Sequence, residues 1–331
     1  MIAYRPSRWL AGGHRMTIYA AVRRRRFLDL PPSDERYFDV ARDARVLARC
    51  HWQAEPRDHP TLVLLHGLEG SANAHYVRGI AGKAFRGGFN IVRLNQRNCG
   101  RTEHLSVGLY HSGLIEDPAA VIRELIDVDK LPSIALAGYS LGGNIALRLA
   151  GVYGASAPPE LHSVAAVSPP VDLARAASAV EWRQNWLYQR NFVRDLKRRI
   201  QLKARLFPDI YKVDGLDRVR TIRQFDERYT APFFGFRDAA DYYHRASALR
   251  VIEKVRVPTL IITAEDDPFI PVASFREPPL TANPRLTVII TRHGGHCGFI
   301  ARRGGGDDGY WAEGMIVEFA AKERRGRRSE Q

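Results

Sequence analysis

Cysteine is scarce in this chain. Cys50, Cys99 and Cys297 are the only three in 331 residues. They are widely separated and form no Cys-x-x-Cys pair, which excludes a disulfide scaffold and a thiolate zinc site and suits a reducing compartment. Long apolar runs are also missing. No stretch reaches the roughly 18 residues of a membrane-spanning helix, and the longest uncharged one, Leu131 to Leu147, is broken by Pro132, three glycines and Asn144. The opening residues lack the basic region, apolar core and small-residue cleavage site of a secretory signal, so a cytoplasmic location is expected. No segment repeats with a period of about 20–50 residues, which argues against solenoids and propellers.

Lysine is scarce too: seven of the 50 basic residues, the rest being arginine. The formal net charge is +14, and residues 174–256 supply +9 of it, with 19 basic against ten acidic residues. The remainder is scattered apart from short clusters at Arg23–Arg26 and Arg324–Arg328. There is no Cys/His finger, no aromatic RNA-binding strand and no basic-region heptad. The charge therefore reads as a solvated surface, compatible with peripheral membrane contact and without a specific nucleic-acid partner.

At 45% hydrophobic and 26% charged, the composition is that of a globular chain, long enough for one large α/β domain with an insertion. Apolar or β-branched runs at Thr61–His66, Phe89–Asn95, Ser133–Gly138, Ser163–Ser168, Pro258–Thr263 and Arg285–Thr291 alternate with helix-compatible stretches. That alternation predicts a mostly parallel, doubly wound sheet. The more polar Arg36–Gln53 region predicts an antiparallel hairpin at its edge. One interval, 174–256, is much longer than a crossover needs. Glu181–Leu206 has helical spacing, and Phe225 to Tyr243 is dense in aromatics, so this interval is expected to be a helical lid over an apolar pocket. The expected division is an α/β core in two parts, 1–173 and 257–323, with the lid between them and a frayed polar tail at 324–331.

The chemistry centres on Gly138-Tyr139-Ser140-Leu141-Gly142, which follows an apolar strand and precedes a helix. A G-x-S-x-G turn needs its two glycines because strand and helix pack with no room for Cβ atoms. A serine hydroxyl is a poor nucleophile without a base to take its proton and an acid to orient that base. Glu265, Asp266 and Asp267 follow one late strand; His293 and His296 follow the next, giving the chain order serine, acid, histidine. All lie at the carboxyl edge of the sheet. His244 lacks that strand context, and His296, between Gly295 and Gly298, is preferred to His293. An oxyanion would be held by the backbone N–H of Leu141 and by that of Leu68, in His66-Gly67-Leu68-Glu69-Gly70.

The sequence resembles the YheT-like branch of the α/β-hydrolase superfamily, predicted carboxylesterases related to yeast medium-chain ethanol acyltransferases. The similar segments run from Pro6 to about Phe319. They include Gly13-His14, His66–Ser71, Asn95-Gln96-Arg97, Tyr110-His111-Ser112-Gly113, Gly138–Asn144, Tyr229–Phe236, Asp266-Asp267-Pro268-Phe269 and Gly294–Phe299. The resemblance implies Ser140 as nucleophile, Asp267 as acid and His296 as base. In related hydrolases the acid lies four residues before a proline, and Pro271 minus four is Asp267. The chain departs from the family at Asn98, where glycine is usual, and at Met16, often glutamine. No chemical role follows for Tyr110–Gly113, and a structural one is expected.

The expected activity is carboxylic-ester hydrolysis through an acyl-enzyme on Ser140, without metal or organic cofactor, on a small-molecule ester of short to medium acyl length. Acyl transfer to an alcohol uses the same groups. The competing reading from another class is a non-catalytic scaffold that binds an acidic partner through its basic insertion; a complete set of three roles argues against it.

Overall fold

The fold is a computed structural model that describes residues 3–27, 30–302 and 308–330. Eight strands form one sheet: β1 Asp34–Ala41, β2 Ala44–His51, β3 Thr61–Leu65, β4 Asn90–Leu94, β5 Ile134–Tyr139, β6 Leu161–Val167, β7 Thr259–Ala264 and β8 Leu286–Thr291. Their order across the sheet is β1-β2-β4-β3-β5-β6-β7-β8. The β1–β2 hairpin occupies one edge and meets β4 antiparallel, while every pairing from β4 to β8 is parallel. The six apolar runs and the polar hairpin thus form strands within a residue or two of their expected positions.

Strands β3 to β7 are buried along their whole length, because helices cover both faces, as parallel sheets require. Alternation along β3 divides the core. Val63 and Leu65 join the cluster built with α3 Glu116–Asp127 and α4 Leu141–Tyr153. Leu62 and Leu64 join the cluster built with α2 His75–Arg86 and the C-terminal helix Trp311–Glu330. That last helix takes in the residues from 324 that were expected to form a frayed tail. Its apolar residues Met315, Ile316, Phe319 and Ala320 anchor it to the sheet, and the basic stretch continues the helix to Glu330; Gln331 lies outside the described residues.

Every element between β6 and β7 is helical. The main ones are α5 Leu173–Val180, α6 Trp186–Leu206 and the short helix Ala239–Ala246, with a π-helical turn at Asp226–Thr230. Val193, Leu196, Ile200, Tyr211, Leu216, Val219 and Phe225 form a small core there, closed on the sheet side by Leu109. Near the start of the chain, α1 Gly13–Val22 lies against the loops that follow β7 and β8. Among the described residues no helix is long and apolar enough to cross a membrane.

Candidate active site

Ser140 ends β5 and caps α4 with φ 50° and ψ −121°, a left-handed conformation that non-glycine residues adopt only under constraint. The constraint is packing. A Cβ on Gly138 would lie 2.2 Å from the Gly142 carbonyl oxygen, and one on Gly142 would lie 2.5 Å from that of His66. Both flanking glycines are therefore required, and the sharp turn lifts the Ser140 side chain clear of the sheet.

The loops after β7 and β8 bring the other groups to it. His296 Nε2 is 3.0 Å from Ser140 Oγ, and His296 Nδ1 is 3.0 Å from Asp267 Oδ2. A carboxylate only accepts, so Nδ1–H donates to Asp267, and in its neutral form the ring presents Nε2 to the serine hydroxyl. The Asp267 carboxyl group is fully buried, and its Oδ1 also accepts the Phe269 and Ile270 amides at 2.9 and 3.1 Å. Burial disfavours the charged imidazole, but the Cys297 sulfur and the Asp267 carboxylate outweigh it and hold the His296 pKa well above the ordinary histidine value. The adjacent Asp266 does a different job: Oδ1 accepts the Gly294 and Gly295 amides, both at 2.9 Å, and Oδ2 lies 3.0 Å from His293 Nδ1. His293 is thereby directed away from the serine. The His296 loop is braced by Thr17 of α1, whose Oγ1 accepts the His296 amide at 2.8 Å.

Gly67 packs on the serine so closely that a Cβ there would meet Ser140 Cβ at 3.3 Å. The Gly67 amide donates to the Tyr76 hydroxyl at 2.9 Å and the Glu69 amide to that of Tyr110 at 2.8 Å. Between them, the Leu68 N–H has no protein acceptor among the described residues, nor has the Leu141 N–H at the start of α4. Two unsatisfied amides beside a serine, one in the loop after β3 and one at the N-terminus of α4, can stabilise a developing oxyanion. The loop is held from behind by His66, whose Nδ1 donates to Gly67 O at 2.7 Å while Nε2 accepts the Gln96 amide at 3.1 Å. Burial pushes the His66 pKa down to about 4, keeping it neutral for this role.

Glu69 and Arg199 escaped the sequence reading. Glu69 sits at φ 55°. Its carboxylate accepts a charge-assisted hydrogen bond from Tyr110 at 3.0 Å and takes Arg199 of α6 in a fork, Nε to Oε1 at 2.9 Å and Nη2 to Oε2 at 2.7 Å. Ser112 of the Tyr110–Gly113 segment donates its amide to Tyr242 and accepts Asn144 Nδ2 from α4, at 3.0 and 2.8 Å. That segment is a junction between the loop after β3, the helix behind Ser140 and the helical segment. Asn98 takes φ 63°, a conformation that glycine adopts freely and asparagine tolerates, and its Oδ1 accepts from the buried Lys203 at 3.1 Å.

Ser140 and His296 open on a cavity of about 820 Å³ whose walls are mostly apolar, among them Leu109, Val180, Phe192, Leu196 and Phe269. Of the seven aromatics between Phe225 and Tyr243, only Phe225, Tyr242 and Tyr243 border it. Phe233 stacks on Tyr211, and Phe234 and Phe236 pack on His111. No group of three or more His, Cys, Asp or Glu side chains suited to a metal occurs among the described residues.

This chain belongs to the α/β-hydrolase fold family, whose model matches residues 60–302. Within it the chain falls in the YheT-like branch: it is 34% identical to YheT of Escherichia coli, a protein with an esterase name, over 82% of this chain and 77% of that one. It is 29% identical to the medium-chain fatty acid ethyl ester synthase/esterase 2 of Saccharomyces cerevisiae, across 80% of this chain and 62% of the relative. A phospholipase of Mus musculus shares 28% identity over 73% of this chain and 58% of its own length. Among solved structures, an esterase of Pyrococcus furiosus superposes with a TM-score of 0.58 at 16% identity, covering 91% of this chain and 97% of that one, a likeness of fold.

Proposed function

We propose that the protein is a serine hydrolase that cleaves carboxylic esters through an acyl-enzyme on Ser140. The observation that carries this reading is the unbroken hydrogen-bond chain from Ser140 Oγ through His296 to the buried carboxylate of Asp267, at the floor of an apolar cavity. His296 Nε2 takes the serine proton as Oγ adds to the ester carbonyl. The Leu68 and Leu141 amides hold the oxyanion, the imidazolium returns its proton to the leaving alcohol, and water activated by the same ring releases the acid. The esterase names of the bacterial and yeast relatives support ester substrates. The yeast name also covers synthesis, and an alcohol replacing water would give acyl transfer by the same steps.

In this reading residues 174–256 are a lid over the acyl site, inserted between the core parts 1–173 and 257–323. Three unbridged cysteines support a reducing, cytoplasmic setting. The test is fluorophosphonate labelling with intact-mass readout. One adduct is expected on the wild type and none on Ser140→Ala. Ester turnover should fall on the order of 10⁶-fold in Ser140→Ala and in His296→Ala, with folding intact. A folded wild-type protein that takes no adduct, or activity above about one per cent in either variant, overturns the assignment.

A further inference from the structure

The mouth of the cavity is framed by α1 and the first turns of α6, which touch where His14 Nδ1 lies 3.2 Å from the Tyr188 hydroxyl, with the two rings stacked. On the α1 side the cavity wall runs out to solvent through Ile18 and Val22, which are 50% and 70% exposed. On the α6 side it runs out at Asn191. Beside that rim, Trp182, Trp186 and Leu187 are each more than half exposed. Large apolar side chains gathered around an opening mark an interaction surface rather than chance exposure.

The charges around this rim have one dominant sign. Residues 3–27 contain seven arginines and neither Asp nor Glu, and of these Arg25 is buried in an ion pair with Glu313. Arg15 is exposed on α1, and Arg190, Arg194 and Arg198 recur along the outward face of α6, with half-buried Asp195 the acid among them. Tryptophan and aliphatic groups ringed by arginine match the chemistry of a bilayer interface, where indoles settle at headgroup depth and guanidinium groups meet lipid phosphates. A second copy is a poor occupant, because a two-fold contact would bring this arginine-rich face against itself. A nucleic acid has no use for exposed Ile18, Val22 and Leu187.

We infer that the face bearing the cavity mouth docks on an anionic lipid bilayer, so that the opening faces the acyl-chain region. The inference stands apart from the chemistry assigned to Ser140, because binding is read without turnover.

The test is co-sedimentation of the whole protein with vesicles of phosphatidylcholine alone or with about 30% phosphatidylglycerol. Partition onto the anionic vesicles should be at least about tenfold stronger and should weaken as salt is raised. Two exposed-site triple variants, Trp182→Ser/Trp186→Ser/Leu187→Ser and Arg15→Gln/Arg190→Gln/Arg194→Gln, should each lower it about tenfold while leaving the thermal melt unchanged. Absence of partition, equal partition on both vesicles, or partition that survives both variants overturns the inference. A dimer that replaces vesicle binding and is lost in the Trp182/Trp186/Leu187 variant does so too, in favour of a second copy.

Discussion

Arg199 on α6 grips Glu69 with both arms of its guanidinium, and Glu69 is the next residue after Leu68. The side chains of both are only 9% exposed, so the pair ties the helical segment to the loop that carries the proposed oxyanion donor. Glu69 pays for its left-handed backbone through this pair and the two hydrogen bonds to Tyr110.

Arg199→Gln should strand a buried carboxylate and destabilise the fold by about 3–5 kcal/mol. The loop should also lose its position, lowering kcat by roughly ten- to a hundredfold with less effect on KM. The double variant Arg199→Gln/Glu69→Gln, which leaves no lone charge, should melt above the single. Thermal melts and steady-state kinetics on all three check this; a stable Arg199→Gln enzyme with normal kcat contradicts it.

The two neighbouring aspartates should separate cleanly. Asp267→Asn should cut kcat on the order of 10⁴-fold by spoiling the histidine tautomer. Asp266→Asn keeps an oxygen for the Gly294 and Gly295 amides and should cost less than about tenfold. Ester kinetics on the pair decide, and a dead Asp266 variant beside an active Asp267 variant reverses the roles.

A pH profile tests the electrostatics of His296. Its pKa is held high, partly by Asp267, and in the proposed mechanism the neutral ring is the base. Ester kcat/KM in the wild type should therefore rise with pH along a limb lying above the ordinary histidine value of ~6.5. In Asp267→Asn the residual activity should show that limb at lower pH. A wild-type limb centred below about pH 6 disagrees with this electrostatic account.

Chain-length preference follows from the cavity walls. Each added methylene that leaves water contributes about 0.8 kcal/mol, close to fourfold in kcat/KM. Esters longer than acetate should therefore be favoured until the acyl arm is full. A series of p-nitrophenyl esters measures it, and a steady decline from acetate upward excludes an acyl pocket.

Asp226, in the π-helical turn, is buried with only the Thr230 and Tyr243 hydroxyls on its carboxyl group, each at 2.7 Å, and burial raises its pKa to about 6. A carboxyl with a raised folded-state pKa binds more protons folded than unfolded between roughly pH 4 and 6, so stability falls as pH rises through that window. Asp226→Asn should remove the dependence and gain up to about 3 kcal/mol on the wild type at pH 7 relative to pH 4. Denaturant melts at the two pH values read the difference; identical pH dependence in both proteins refutes it.

Much of this architecture was legible in the chain. The buried parallel strands announce themselves as unbroken apolar runs, and the Ser140 turn by glycines whose missing Cβ atoms make room for α4. Places after β7 and β8 narrow the acid to Glu265, Asp266 or Asp267 and the histidine to His293 or His296, because strand ends are where such sheets gather their loops; the choice of Asp267 rests on the family resemblance. The fork between Glu69 and Arg199 was not legible: the partners lie 130 residues apart, and charged residues in an arginine-rich helix read as solvated. The aromatics failed for a different reason. A run dense in rings does not say which of them face inward, and around the π-helical turn Phe233 and Phe234 pack on Tyr211 and His111 instead. The last turns of the C-terminal helix were missed because composition there is polar, while the apolar residues that hold the helix come earlier in it.

The bond from the His296 amide to Thr17 joins residues 279 positions apart. During synthesis α1 emerges before its partner loop, which follows only after about 14–60 s at ordinary elongation rates. Through that interval the inward face of α1, with Met16, Thr17 and Ala20, has no loop to cover it. The His296 loop can take its final position only when it returns to a helix made 279 residues earlier, so the onset of the proposed activity would mark a late step of folding.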